Sequence, residues 1–523
     1  MRLKEIFNKK NNTTNDNPLS KSLKNNLDII KKELTNCDDL IIREFKIFNK
    51  FSCALIIIDG LTSGEYIHNM ILKTLMVEIN NTSSAKEITT AKELFINLQD
   101  NLITLIDVKV TMYIEEILDS LLAGNSILLV NDEKKCFIIE TKGWEDRGVV
   151  EATSQTVIRG PKDSFNETLR TNTMLIRRRI KDKNLRIINK TIGTRSKTEI
   201  AILYIEDIVN NKIVDEVHER IDRIKIDGIL DSSYVEQLIQ DHPYSLFPTV
   251  HNTERPDSAV GALFSGYVII IVDGSSYVLV VPCLLTTLLH TPEDYYHKFQ
   301  FGTFIRVLRF ISLLLALLSP SIYIAITTFH QEILPTELLI SITSQREGIP
   351  FPAFVEALLM EITFEILREA GVRMPRAIGS AISIVGALVL GEAAVQAGLV
   401  SPVMVIVVSL TAISSLIAPS YNLGISIRLL RFLFMILAAT LGMFGIITGL
   451  MIIGLHLTSI RSFGIPYLYP ISPVNKQGLK DSIIRYPLWE ITHRPSLLGE
   501  DNLLRQKDTT KQTPPSPGQE RNR

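Results

Sequence analysis

The chain has 523 residues and nearly balanced charge, 55 Lys and Arg against 56 Asp and Glu. Its length leaves room for two or three domains at roughly 150 residues each, and the balance excludes a global field that would gather nucleic acid or an acidic substrate. Four cysteines, Cys37, Cys53, Cys136 and Cys283, lie without CxxC spacing or neighbouring histidines, which argues against a zinc site or a disulfide framework and leaves them as small buried hydrophobes.

Residues 1–35 are rich in Asn, Lys and Thr and are expected to form a disordered lead-in. The opening MRLKEIFNKKNNTTNDN has no seven-residue apolar core, so it does not read as a secretory signal, and the head of the protein is expected in the cytosol. A first α/β subdomain is expected over 36–150. CALIIIDG (53–60) is an apolar strand ending in an acidic turn, and GNSILLVNDEKKCFIIET (124–141) reads as two strands joined near Asn131 and Asp132. The same order recurs in a second subdomain over 151–290. There EIAILYIED (199–207) supplies the apolar strand, and SGYVIIIVDGSSYVLVVP (265–282) a hairpin with an Asp273-Gly274 turn. That hairpin is apolar enough to resemble a membrane segment, but Asp273 and the serines after it break the run, and neither half is long enough to span. Helical spacing of apolar residues marks Gly64 to Glu78, Tyr113 to Leu122, Val214 to Ile224 and Ser233 to Gln240.

A basic linker opens the second subdomain and contains Arg177, Arg178 and Arg179 in sequence. Such a run is a solvated helix face in the ordinary case. The alternatives are contact with a neighbouring subunit, with anionic headgroups or with a nucleotide phosphate.

From 291 to 470 the character changes to a transmembrane helical domain. Arg309 to Thr328, Ala377 to Leu399, Val400 to Ala418 and Leu429 to Thr458 are each long enough to cross or nearly cross a bilayer core of roughly 30 Å, and in the last Arg431 is the only charge. Arg306 and Arg309, just ahead of the first span, place its start on the cytosolic side. Pro320 interrupts that span and Pro402 begins the third, which makes both candidate gating kinks. Between the first two spans FPAFVEALLMEITFEILREAGVRMPR is two-faced, with Phe354, Leu358, Leu359, Ile362 and Ile366 on one side and Glu361, Glu365, Arg368 and Glu369 on the other. It either lies in the interface or crosses with its acidic face toward water or other helices, where it would attract cations. Glu392 and Gln396 stand one turn apart in the second span, and an ionisable group inside a span is a functional candidate. Glu361, Glu365, Glu392 and Gln396 are therefore the candidate ion path. Residues 471–523 read as a polar C-terminal tail.

No GxxxxGK[ST], HExxH, GxSxG or clustered His/Asp set occurs in a plausible context, so an enzyme is not expected, and no cofactor is implied.

The runs IRGPKDSFNETLRTNTMLIRRRI, ILDSSYVEQLIQD, FPTVHNTERPDSAVGALFSGYVIIIVDG, PEDYY, FPAFVEALLMEITFEILREAGVRMPRAIG, IVGALVLGEAAVQAGLVSP and SFGIPYLYPISP together resemble the A-subunit family of spore germination receptors, the GerA family. The resemblance implies a subunit of a nutrient-sensing complex in the spore inner membrane. It implies a permease-like B subunit and a C-subunit lipoprotein as partners, alongside membrane lipids, and self-association as a ring that conducts monovalent cations. On that reading the structure is an α/β cytosolic head of two related subdomains followed by an α-helical multi-span membrane domain. The Arg177, Arg178 and Arg179 run would then join subunits. A secondary transporter of a small solute or ion is the alternative, and it is disfavoured because no repeat is visible among the spans.

Overall fold

The computed structural model describes residues 17–78, 88–102, 108–143, 152, 155–373, 391–499 and 502–506. Contacts divide the chain into two interleaved units. The first is Met1–Ile239, Asn252–Val281 and Arg494–Leu503, and the second is Gln240–His251, Pro282–His493 and Leu504–Arg523.

The first unit opens with helix α1 (Leu23–Glu33), then strands β1 (Leu40–Ile47) and β2 (Phe51–Ile58). A helical segment over 64–78 and helix α2 (Ala91–Leu102) lead to β3 (Val108–Thr111), α3 (Ile114–Leu122), β4 (Ser126–Val130) and β5 (Cys136–Ile139). The strands form one antiparallel sheet in the order β1-β2-β4-β5-β3. Both central strands β4 and β5 are buried throughout, which is why they read as continuous apolar runs and not as alternating ones. Phe95 stacks on Phe137 at 4.1 Å between centroids to close the core on one face.

The second half of this unit repeats the first. Helix α4 (Leu169–Arg179), β6 (Leu185–Ile192), β7 (Thr198–Ile205), α5 (Asn211–Asp222), α6 (Ser232–Ile239), β8 (His251–Thr253), α7 (Pro256–Leu263), β9 (Val268–Val272) and β10 (Val278–Val281) give a sheet ordered β6-β7-β9-β10-β8, the same topology as the first. The likeness extends to single hydrogen bonds. Asn26 accepts from the Ser20 amide and donates to the Ser20 carbonyl, and Asn172 does the same with Asn166. The hairpin turn of each sheet then holds the start of its helix. Asn131 Oδ1 accepts from the Leu23 amide and Asp273 Oδ1 from the Leu169 amide, both at 3.0 Å. Positive-φ residues Asp132 and Gly274 donate their amides to Lys21 and Glu167 in the same way. The 266–282 stretch thus forms two central strands of a sheet, as its serines and Asp273 indicate.

Two expected boundaries are corrected. Residues 17–35 belong to the fold, because Leu23, Leu27 and Ile30 on one face of α1 are buried. Residues 476–499 are not a tail either. Asp481, Ser482 and Arg485 hydrogen-bond residues near the start of the helical unit, and Leu498 is buried in the first unit, so what looked like solvated charge is partnered.

The second unit is helical. Short helices α8 (Leu285–Leu289) and α9 (Glu293–Tyr296) precede α10 (Phe299–Thr328), α11 (Thr336–Arg346), α12 (Ala353–Arg373), α13 (Pro402–Leu416) and α14 (Tyr421–Ser459), and a small ribbon of β11 (Arg461–Ser462) and β12 (Ile465–Pro466) comes after them. Of the described helices, α10 and α14 are long and apolar enough to cross a membrane. Pro320 lies inside α10, where it is buried. Pro402 is not a kink: it sits at the first turn of α13, where its missing N–H costs nothing, and Ser401 caps the helix. Most of the second apolar stretch, residues 374–390, lies outside the described residues.

Helix α14 is not one rod. Gly442 has φ 60° and ψ −141°, and the chain turns back on itself there. A Cβ on Gly449 would lie 2.8 Å from the Phe434 ring, although in a straight helix these residues would be about 22 Å apart. Ser426 and His456, about 45 Å apart in a straight helix, hydrogen-bond the adjacent residues Leu246 and Ser245. The arms 421–441 and 443–459 therefore form a hairpin packed through Gly445 and Gly449, where small residues permit close approach. Its tip meets Phe329 and His330 at the end of α10. Arg431 donates to the Ala316 carbonyl midway, so the first arm runs alongside α10 in the same direction. The second arm brings the chain back to the end where α10 begins. There Cys283 donates its amide to Ser462 and Leu285 donates to Tyr467.

Substituting Gly442→Ala places a Cβ 2.8 Å from the His330 ring at a backbone conformation that costs a side chain roughly 1–3 kcal/mol. We expect a lower unfolding midpoint in detergent than for Gly454→Ala, whose site is open; equal midpoints would contradict a hairpin turn at Gly442.

Candidate ion path and charge clusters of the helical unit

Helix α12 is inverted relative to a helix of a water-soluble core. Its apolar residues Leu359, Ile362 and Ile366 are exposed, Ile366 at 64%, whereas Glu356 and Glu361 are fully buried. Each of its four glutamates faces an arginine. Glu356 Oε1 accepts from Arg346 at 3.2–3.3 Å, and its Oε2 accepts from the amide and hydroxyl of Ser401, both at 3.0 Å. Glu361 pairs with Arg431, both being 1% exposed. Glu365 accepts from Arg428 at 2.8 Å, with Arg368 beside it held by Ser415 at 2.6 Å. Glu369 pairs with Arg373 at the exposed end.

This corrects the expectation that Glu361 and Glu365 form a cation-attracting face. Three guanidinium groups, Arg368, Arg428 and Arg431, surround the two carboxylates, so the cluster carries no surplus negative charge with which to hold a cation. The pairing is close but not complete: Glu361 Oε1, Glu365 Oε1 and Arg431 Nη2 are buried without a hydrogen-bond partner. Sequence reasoning missed the arginine partners, although Arg431 as the lone charge of its run was the available signal.

Glu392 and Gln396 are placed differently. They lie on helical residues 391–396, both exposed, and Gln396 Nε2 donates to Glu392 Oε1 at 3.2 Å. Among the described residues no arginine or lysine pairs with Glu392.

The arginines of the basic stretch separate into distinct environments. Arg177, 1% exposed, is no surface contact. It donates to both oxygens of Asp39 at 3.0 Å and to the Leu185 carbonyl, joining the two repeats of the first unit. Arg179 pairs with Asp163. Arg178 is exposed.

A further cluster lies where α10 begins. Asp294 accepts from Arg306 at 3.1 Å and from Arg309 at 2.8 Å, and Asp481 accepts from Arg306 at 2.9 Å and from the Tyr295 hydroxyl at 2.7 Å. His290 bonds the Ser482 carbonyl beside it at 2.7 Å. Burial first, and the neighbouring Arg306 charge second, push its imidazole down to about 4, against the opposing pull of Asp481, Asp294 and the Ser482 carbonyl.

The family described as Bacillus/Clostridium GerA spore germination protein matches residues 28–497. The chain belongs to the GerA family. It is 43% identical to spore germination protein KA of Bacillus subtilis (strain 168), over 93% of this chain and 89% of that protein. It is 37% identical to spore germination protein GerLA of Bacillus cereus, over 92% and 96%. A crystal structure of the N-terminal domain of the A subunit of the Bacillus megaterium spore germinant receptor GerK3 aligns with 52% of this chain and 99% of that domain, at 30% identity and a TM-score of 0.42. The GerA relatives are thus similar to this chain across both of its units.

Two measurements check the charge arrangement in this GerA-family chain. Glu361→Gln alone leaves Arg431 buried and uncompensated and should cost about 3–5 kcal/mol, whereas Glu361→Leu with Arg431→Met should be near neutral. A double variant as unstable as the single one would show that the pair is not the source of the loss. The second concerns pH. A folded His290 that titrates near 4 against about 6.5 unfolded favours folding at pH 6.5 and above, and that contribution is lost as pH falls toward 4. By pH 5 the loss should approach roughly 2 kcal/mol. His290→Gln should flatten part of the fall in unfolding midpoint between pH 7.5 and 5, and an identical fall would contradict it.

Proposed function

We propose that this chain is the A subunit of a nutrient germinant receptor, seated in the spore inner membrane, where it transduces germinant binding as an oligomeric ligand-gated cation channel. The observation that carries the membrane setting is the inversion of α12: buried glutamates and exposed isoleucines suit a helix whose outside is lipid. The folded-back α14 supports a crossing out and a crossing in, which returns 460–493 to the side where α10 starts. On the proposed topology that side is the cytosol, with the α/β unit. A relative 40% identical carries the name uncharacterized membrane protein YfkQ, from Bacillus subtilis (strain 168).

The names of the relatives support the role in germination. The family resemblance implies assembly with a permease-like B subunit and a lipoprotein C subunit, of which the B subunit would bind the nutrient. No step of this role asks the chain for catalysis.

For conduction, the charges of α12 are spent on arginines, which leaves Glu392 and Gln396 as the polar groups of the ion path. A ring of carboxylates contributed by several copies favours cations over anions. Arg178, exposed beside the buried Arg177, would be the residue of the basic run to contribute to a subunit contact.

Receptor complexes reconstituted in potassium-loaded liposomes test this reading. Glu392→Gln should lower germinant-triggered potassium release several-fold with assembly intact. Unchanged release from a correctly assembled variant would remove Glu392 from the path, and vesicles that stay ion-tight under every stimulus would end the channel reading.

A further inference from the structure

Residues 240–251 stand in the sequence between α6 and β8, yet they belong to the helical unit. They form a loop with two feet and a tip, and its close-set ends make it an Ω-loop. At the feet, Asp241 accepts from the Phe463 amide at 2.9 Å and the Thr249 carbonyl accepts from the Ser462 hydroxyl at 2.7 Å, so both rest on adjacent residues of the β11–β12 ribbon. The tip has bonds of its own. The Ser245 amide donates to the His242 carbonyl at 3.0 Å and the Phe247 amide to the Ser245 hydroxyl at 3.2 Å. Pro243 and Pro248 bracket it, each with φ fixed by its ring.

The tip grips both arms of α14. Ser426 on the first arm donates to the Leu246 carbonyl, and the Ser245 hydroxyl bonds His456 Nε2 on the second arm at 2.9 Å. Phe247 is buried between them, its ring 6.2 Å from His456 and 6.5 Å from Tyr467. At the far end of the hairpin the chain itself joins the arms, through the turn at Gly442. At this end the link between them runs through single hydrogen bonds and one ring, so this is the end that can part. Release of the tip does not strand the Ser426 hydroxyl either. The Asn422 carbonyl, one turn back in the same helix, lies 3.0 Å from it and accepts the same proton. The contact therefore has a second arrangement in which that buried serine is satisfied.

We propose that residues 240–251 are an autoinhibitory strap. With its tip seated, the strap holds the open ends of the α14 hairpin together and keeps the ion path shut. When the tip lifts about its feet, Ser426 turns to Asn422, His456 is freed, and the two arms part as the path opens. The feet stay on Ser462 and Phe463 throughout, so the strap can reseat and the change is reversible. This inference deepens the channel reading and rests on it for its ion-flux readout.

Receptor complexes in potassium-loaded liposomes carry the test. Ser426→Ala removes one hydrogen bond of the grip and should raise the leak measured without any nutrient about fivefold, while assembly and the unfolding midpoint hold. Ser426→Thr, which keeps the hydroxyl, should stay tight. A chain with Ser245→Cys and His456→Cys, its four native cysteines replaced, should also leak until a short bifunctional methanethiosulfonate bridges the pair. Bridged receptors should be tight, should remain so when given the twenty amino acids with glucose, and should recover both leak and response on reduction. Ser426→Ala vesicles as tight as the unaltered ones, or bridged receptors that release potassium on the nutrient mixture, would overturn the strap. The yield of bridging keeps the two readings apart, because the nutrient mixture should lower it several-fold as the tip lifts. A yield that falls while unaltered vesicles stay ion-tight overturns the channel alone, and a yield that the mixture leaves unchanged overturns the strap whether or not potassium flows.

Discussion

Removing a charge from water costs several kcal/mol even after a protein relaxes around it, and α12 carries three glutamates into the interior of the helical unit. Each is matched by an arginine from a different part of the chain: Arg346 from the end of α11, and Arg428 and Arg431 from the first arm of α14. Arg431 continues to the Ala316 carbonyl on α10, and Ser401 and Ser415 bring both ends of α13 to the same helix. The ion pairs therefore do more than neutralise α12, because they decide which helices touch it and in what register. Replacing a buried pair by apolar residues is often harmless to stability, so its value here lies in specifying one arrangement among helices whose apolar sides would otherwise pack in many ways.

That constraint also determines where conduction is argued. A carboxylate held by arginine at 1% exposure has neither the solvent access nor the free charge to pass a hydrated cation. Glu392, exposed and hydrogen-bonded to Gln396 one turn along, is held by no arginine among the described residues. The sequence places the four residues in one class because each is a polar group in an apolar region. Arginines distant in sequence divide them.

Other parts of the structure show the same limit. The tandem sheets were legible because fully buried strands leave continuous runs such as SILLV and VIIIV, and because Asp273-Gly274 is a strong turn signal. The helices that open each repeat were not. LKNNLDIIKKE and LRTNTMLIRRR are mostly polar, and the features that make them equivalent are single asparagines, Asn26 and Asn172, bonding backbone six residues back. Asp481 looked solvated because its partner Arg306 lies 175 positions away. In the last apolar run Gly442 is one glycine among several, and only its backbone angles single it out as the turn.

The central claim is that Glu361 and Glu365 are sealed inside the helical unit by their arginines while Glu392, as proposed, lines the hydrated ion path. Single cysteines at 361, 365, 392 and 396, in a chain whose four native cysteines are replaced, can be exposed to a membrane-impermeant cationic thiol reagent in reconstituted receptors. The account predicts rapid modification at 392 and 396 and protection at 361 and 365. Rapid modification at 361 or 365 with protection at 392 would contradict it.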